Sequence, residues 1–150
     1  DGAEPSPNSV AILNLLRLSE MTGNRHWRDM AAQGIRAFEK NLRTHPQSLP
    51  QMMTAVNFYL NKPTQIIIAG RNSSPDTKKI LREVHKRFLP NKIILLADNG
   101  PAHKRLKDKL EILKTLRRIE GKATVYVCKN YVCKLPTNQI EVLSHLLEEL

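Results

Sequence analysis

Hydrophobic positions follow two different rhythms along this chain, and the change comes near residue 60. In "SPNSVAILNLLRLSEM", Val10, Ile12, Leu13, Leu15, Leu16 and Leu18 cover nearly the whole circumference of a helix, with Asn14 and Arg17 interrupting. A helix that is apolar on most sides is expected to be buried by neighbours on most sides. Ser6 is a candidate N-cap with Pro7 at the first helical position, and Gly23 ends the segment. A second helix, about residues 25–44, carries one stripe of Trp27, Ala31, Gly34, Phe38 and Leu42. Arg28, Asp29, Gln33, Arg36, Lys40 and Arg43 occupy its other side, which predicts an outer helix with one wet face. A third helix, residues 49–60, is shorter and mostly apolar. An enclosed helix alternating with an amphipathic one predicts layered helical hairpins over residues 1–60.

From "NKP" (61–63) onward the pattern is that of strands and helices in turn. "TQIIIAG", "NKIILLAD" and "ATVYVC" are short apolar runs rich in β-branched residues and read as buried strands. Between and after them lie three predicted helices. The first follows Ser74, Pro75 and Asp76; the second is a basic segment over 100–119 with Leu106, Leu110, Leu113 and Leu116 on one side. The third is "TNQIEVLSHLLEEL", where Asn138 and Glu141 have capping-box spacing. Strand–helix repetition predicts right-handed crossovers, and so a β-α-β-α-β-α unit over 61–150 with a mainly parallel sheet. The fold class expected is mixed α and α/β. No internal repeat or low-complexity tract is visible.

Composition changes this picture in two ways. The 150 residues suit an ordinary folded protein, and no apolar run approaches the roughly 18 residues of a membrane-spanning helix. The beginning lacks Met, a basic start and an apolar h-region, so the chain reads as a piece of a longer protein and carries no targeting signal of its own. Charge is uneven. Residues 1–60 hold six Lys/Arg against five Asp/Glu, whereas 61–150 hold eighteen against nine, nine of the ten excess positive charges. Lys78, Lys79, Arg82, Lys86 and Arg87 concentrate on one helix, which makes a basic module for nucleic acid or anionic surfaces one functional alternative. With aromatics at 5% and no basic–aromatic alternation, stacking on bases has little support, and a solvated face explains the run more simply.

Candidate chemistry is sparse. In parallel sheets, ligands sit beyond the carboxyl ends of strands. Here those ends offer Gly70-Arg71-Asn72, Asp98-Asn99-Gly100 and Lys129-Asn130, a polar rim that could hold a small anion with help from helix starts at Pro75 and Pro101. One glycine where a dinucleotide fingerprint needs three, and no Gly-Lys-Ser/Thr, speak against a nucleotide loop. His26, His45, His85, His103 and His145 are scattered without metal-ligand spacing, so no metal and no cofactor is expected. Asp1, Glu4, Ser6, Asn8 and Ser9 crowd the entrance of the first helix. Capping and loop solvation explain such groups; on the rim of a cavity between helices, the carboxylates could instead do acid–base work on a sugar.

Three stretches taken together, "DGAEPSPNSVAILNLLRLSEMTG", "RFLPNKIILLAD" and "ATVYVCKNYVCKLP", resemble the C-terminal region of a widespread family implicated in sperm development. The resemblance covers all 150 residues in order. It implies a parent protein with an N-terminal thioredoxin-like domain followed by an (α/α)6 barrel similar to N-acylglucosamine epimerases. This chain would supply that barrel's closing helical hairpin, residues 1–60, and a small α/β unit, residues 61–150. Asp1, Gly2, Pro5, Ser6, Asn8 and Ser9 match the family's pattern, so Asp1, Ser6 and Asn8 become cavity-rim groups by resemblance, with Pro7 standing where relatives have a small residue. The family's Cys-x-x-Cys pair has no counterpart here. The implied function is a non-catalytic C-terminal region; a carbohydrate-active, epimerase- or hydrolase-like barrel fragment is the alternative. Implied partners are the thioredoxin-like domain and the rest of the barrel, and the resemblance allows a secreted parent. Removed from it, the chain is expected to expose "AILNLLRL" and either self-associate or repack that helix against the α/β unit.

Cys128 and Cys133, in "YVCKNYVCKLP", are the two cysteines. Their chemistry depends on hairpin register. A Lys129-Asn130 turn sets them diagonally, with Cβ atoms around 7 Å apart and too far for a disulfide. An Asn130-Tyr131 turn, or a loop over 129–132, sets Cys128 opposite Cys133 and permits one. Neither turn has the favoured Asn-Gly. Two packed, reduced thiols are the simplest expectation, with the disulfide as alternative.

Overall fold

Helices α1 (Pro7–Thr22), α2 (Arg25–Ala37), α3 (Glu39–Thr44) and α4 (Pro50–Leu60) build the first of two units, Asp1–Lys62, in a computed structural model that describes residues 1–61, 63–98, 100, 111–129 and 132–150. The hydroxyl of Ser6 accepts the Ser9 N–H at 3.2 Å, so Ser6 caps α1 as its position suggests. Gly23 closes the helix in the left-handed region (φ 70°), its N–H on the Ser19 carbonyl. Ile12, Leu13 and Leu16 are buried, as are Ala31 and Ala32 of α2 and Met52, Ala55 and Phe58 of α4. At the α1–α2 crossing a β-carbon on Gly34 would stand 2.7 Å from Ile12 Cδ1, so close approach requires the glycine.

Two expectations change here. The apolar circumference of α1 is not enclosed: Val10 is 39% exposed and Leu18 42%, because the unit packs α2 and α4 onto one side of it. Arg28 is half-buried rather than on a wet face. Its guanidinium lies 4.7 Å over the Tyr59 ring, pairs with Glu20 at 3.1 Å and donates to the Tyr59 carbonyl at 2.9 Å, tying α2 to both neighbours. Phe38, at φ −103° and ψ 9°, divides the expected helix over 25–44 into α2 and α3.

The second unit, Pro63–Leu150, holds strands β1 (Thr64–Ala69), β2 (Lys92–Ala97), β3 (Thr124–Lys129) and β4 (Val132–Cys133) with helices α5 (Pro75–His85), α6 (Glu111–Thr115) and α7 (Ile140–Glu148). Strand order is β2-β1-β3-β4. Central β1 is buried throughout, which is why residues 66–69 are a continuous apolar run and not an alternating one. Alternate residues still serve opposite faces. Ile66 and Ile68 join Val125 and Val127 against Ile80 and Val84 of α5 and Leu143 and Leu147 of α7. Ile67 and Ala69 join Ala97, Leu113, Leu116 and Cys128 on the other face.

The expected mainly parallel sheet is corrected at β3. β1 and β2 run parallel, but β3 runs antiparallel to β1, with Ala69 opposite Thr124 and Thr64 opposite Lys129. β3 therefore begins at the end of the sheet where β1 and β2 finish. Glu120 and Gly121, both with positive φ (53° and 72°), make the tight turn that leads into it. A β-branched run has the same hydrophobic signature in either direction, so periodicity carries no sign for strand polarity.

At the opposite face α5 and α7 are clamped together. Glu83 is buried and accepts from Lys86 and Arg87, each at 2.7 Å. Arg87 continues to the hydroxyl of Ser144 at 2.5 Å and to Glu148 at 3.1 Å. The hydrogen bonds from Lys86 and then Arg87 hold the Glu83 carboxyl below its usual range. The expected capping box of α7 does not form. The helix starts at Ile140, and Asn138 instead donates to the Ile119 carbonyl at 3.3 Å, bracing the turn before β3.

Candidate functional site

The carboxyl ends of β1 and β2 open into a cavity of about 370 Å³ in the second unit. Its floor is small and apolar: Ala69, Ala97, Leu113 and Leu116. Its walls carry Arg71, Lys114, Arg117 and Arg118, with Asp98 as the single carboxylate among the described lining residues. Gly70 lies at the edge because the chain must pass α5 there; a β-carbon at that position would collide with the Thr77 hydroxyl and come within 2.9 Å of Ala123 Cβ.

Of the strand-end residues singled out in the sequence, Arg71 and Asp98 line this cavity together. Asn72 is exposed nearby and is not a lining residue. Lys129 pairs with Thr64, at the opposite end of the sheet, because β3 is reversed. Asn99, Asn130, His103 and the helix start at Pro101 lie outside the described residues, as do Leu106 and Leu110. Reversal of β3 instead brings in Lys114, Arg117 and Arg118, residues that had read as the interior of a basic helix.

Local hydrogen bonds fix which groups remain available. The Tyr126 hydroxyl accepts the Arg117 N–H at 2.9 Å and donates to the Arg117 carbonyl at 2.8 Å, pinning the segment that bears two arginines. The Arg117 guanidinium donates to the carbonyls of Lys114 (3.0 Å) and Leu116 (2.9 Å). Asp98 accepts the Gly100 N–H at 2.8 Å. The guanidinium groups of Arg71 and Arg118 have no hydrogen-bond or ion-pair partner among the described residues, although the Arg71 carbonyl accepts from the Ser74 hydroxyl at 2.8 Å. The start of α5 is already occupied: Asp76 accepts the Thr77 N–H at 2.9 Å and the Ala123 N–H at 2.7 Å. Hydrogen bonds from Ser74, then from the Ala123 amide, hold its carboxyl below the usual range. The arrangement suits binding of an anion by guanidinium groups, with no nucleophile–base pair among its lining residues.

At the other candidate site, both oxygens of Asp1 are engaged with backbone. Oδ1 accepts the Ser6 N–H at 2.8 Å, and Oδ2 accepts the Met52 N–H at 3.0 Å, in the first turn of α4. Asp1 thereby links the entrances of α1 and α4. Ser6 meets Ser9 at 2.9 Å between hydroxyls. Glu4 and Asn8 are exposed, and among the described residues neither side chain bonds to Asp1 or Ser6.

Cys128 stands directly opposite Cys133, and the two are joined by a disulfide. The register is the one in which Lys129 pairs with Val132, leaving residues 130 and 131, outside the described set, between the strands. Cys128 is buried and Cys133 exposed. Just past α5, Lys86 and Arg87 are bound to Glu83, while Lys78, Lys79 and Arg82 on the helix are exposed. His26, His45, His85 and His145 are exposed, and no group of three metal-ligating side chains converges among the described residues.

No protein-family profile matches the chain, and no solved structure does. It is similar to proteins named spermatogenesis-associated protein 20. The human protein is 43% identical over 136 residues, 91% of this chain and 17% of that protein. The rat and mouse proteins are each 40% identical over 149 residues, 99% of this chain and 19% of theirs. The chain thus spans about a fifth of the length of the curated relatives it matches, and the match falls in their C-terminal part.

Proposed function

We propose that this chain, a homologue of the C-terminal part of spermatogenesis-associated protein 20, serves as the non-catalytic C-terminal region of a longer protein that acts in sperm development. The relatives' name supports the biological role. In this reading residues 1–60 contribute closing helices to an (α/α)6 barrel, residues 61–150 form an α/β appendage, and a thioredoxin-like domain lies upstream. The apolar residues that α1 leaves exposed, Val10 and Leu18, then face the rest of the parent, which is the partner; in isolation they promote self-association.

The observation that carries the non-catalytic reading is the double engagement of Asp1. A carboxylate whose two oxygens each hold a backbone N–H is working as a shared helix cap. Protonating it in a catalytic cycle would weaken both bonds, so acid–base turnover conflicts with its structural task. Asp1→Asn retains one acceptor and sets a donor against the other amide. It is expected to lower the unfolding free energy of the chain by about 1–2 kcal/mol, read from urea midpoints. Unchanged stability, together with loss of sugar turnover in the full-length protein carrying the same substitution, would establish the carbohydrate-active alternative. The upstream sequence of the parent provides a second check, since the reading requires a thioredoxin-like domain there.

A further inference from the structure

We propose that the cavity at the carboxyl ends of β1 and β2 is a binding site for a small organic phosphate, held by Arg71 and Arg118 over an apolar floor. Among the described residues, four cationic side chains and one carboxylate line it, an excess of three positive charges in a concave space. Its volume of about 370 Å³ lies in the range of small-ligand pockets.

The charges are not equivalent. Arg117 already uses its Nη1 on the carbonyls of Lys114 and Leu116, which leaves it fewer donors for an incoming anion, and Asp98 is a carboxylate that repels one. Arg71 and Arg118, whose guanidinium groups have no partners among the described residues, supply the open forks. A guanidinium pairs with phosphate through two parallel N–H···O bonds, which a solvated lysine cannot match in geometry. Tyr126 grips both the N–H and the carbonyl of residue 117, so the backbone that presents Arg118 is set before any ligand arrives.

The floor selects the rest of the ligand. Ala69, Ala97, Leu113 and Leu116 offer no hydrogen-bonding side chain, and they favour a compact organic body over a bare ion. No aromatic side chain lines the cavity among the described residues, so they offer no base stacking and give a single-stranded nucleic acid only charge attraction. The start of α5 takes no part, because the Asp76 carboxylate already stands there, accepting the N–H groups of Thr77 and Ala123.

The test uses the 150-residue chain, isotopically labelled, with butyl phosphate, inorganic phosphate and butanol as probes followed by amide chemical shifts. Butyl phosphate is expected to give saturable shifts confined to Gly70, Arg71, Asp98, Arg117 and Arg118, with weaker binding of inorganic phosphate and none of butanol. Replacing Arg71→Gln and Arg118→Gln together is expected to weaken butyl phosphate binding about tenfold or more at unchanged melting temperature. Three outcomes overturn the proposal: equal affinity for inorganic phosphate, which leaves the floor no role; shifts spread over Lys78, Lys79 and Arg82 that vanish with moderate salt; or full affinity in the double variant.

Discussion

Asp1, Asp76 and Asp98 share one device, a carboxylate that accepts backbone N–H groups where the chain changes direction. Their positions near helix and strand ends are visible in the sequence, but the second partners of Asp1 and Asp76 are not. Met52 lies 51 residues from Asp1, and Ala123 lies 47 from Asp76. That is why Asp1 looks like a possible cavity-rim acid in the sequence and like a cap between two helices in the structure. For Asp76 the consequence is a pH dependence. Its folded carboxyl is held below its ordinary value of about 3.9. The stability it contributes is therefore complete above that unfolded value and is lost as pH falls through the lower folded one. Asp76→Asn is expected to cost about 1 kcal/mol at pH 7, and the gap between the two urea midpoints should close as pH is lowered below about 4. A gap that stays constant through acid would mean that the carboxylate's charge plays no part.

Strands and helices were legible where burial repeats with a clear period. The run "TQIIIA" reads as a strand enclosed on both faces, and β1 is one. Polarity was not legible: β3 presents the same apolar run whether it enters the sheet from either end, and the turn at Glu120–Gly121 sends it antiparallel. This reversal moves Lys129 away from the strand-end rim and brings Arg117 and Arg118 to it. Hairpin register posed a similar problem, since no turn residue chooses between the two alignments of "YVCKNYVC". Pairing of Lys129 with Val132 sets Cys128 against Cys133 in a disulfide, where the simplest sequence expectation was two reduced thiols. The denatured, unreduced chain is accordingly expected to show no reactive thiol, and two per molecule after reduction. Two thiols without reduction would mean that the strands pair without the bridge.

Each unit has an interior of its own. Ile12, Leu13, Leu16, Met52 and Phe58 are buried in the first; in the second, β1 is covered on both faces by residues between Ile66 and Leu147. Residues 63–150 produced alone are therefore expected to give a dispersed amide spectrum, with protected amides in β1 and α5. A collapsed, random-coil spectrum would show that this core depends on the helical unit. Local sequence was sufficient for the existence and type of most elements, for the change of grammar near residue 60, and for the caps at Ser6 and Gly23, because these depend on spacings of one to four residues. Tertiary structure alone decided the direction of β3, the register of the cysteines, the bridging task of Asp1 and the cluster of arginines above β1 and β2. Each of those depends on which distant backbone group comes to lie opposite, and a one-dimensional pattern of apolar and polar residues contains no record of that.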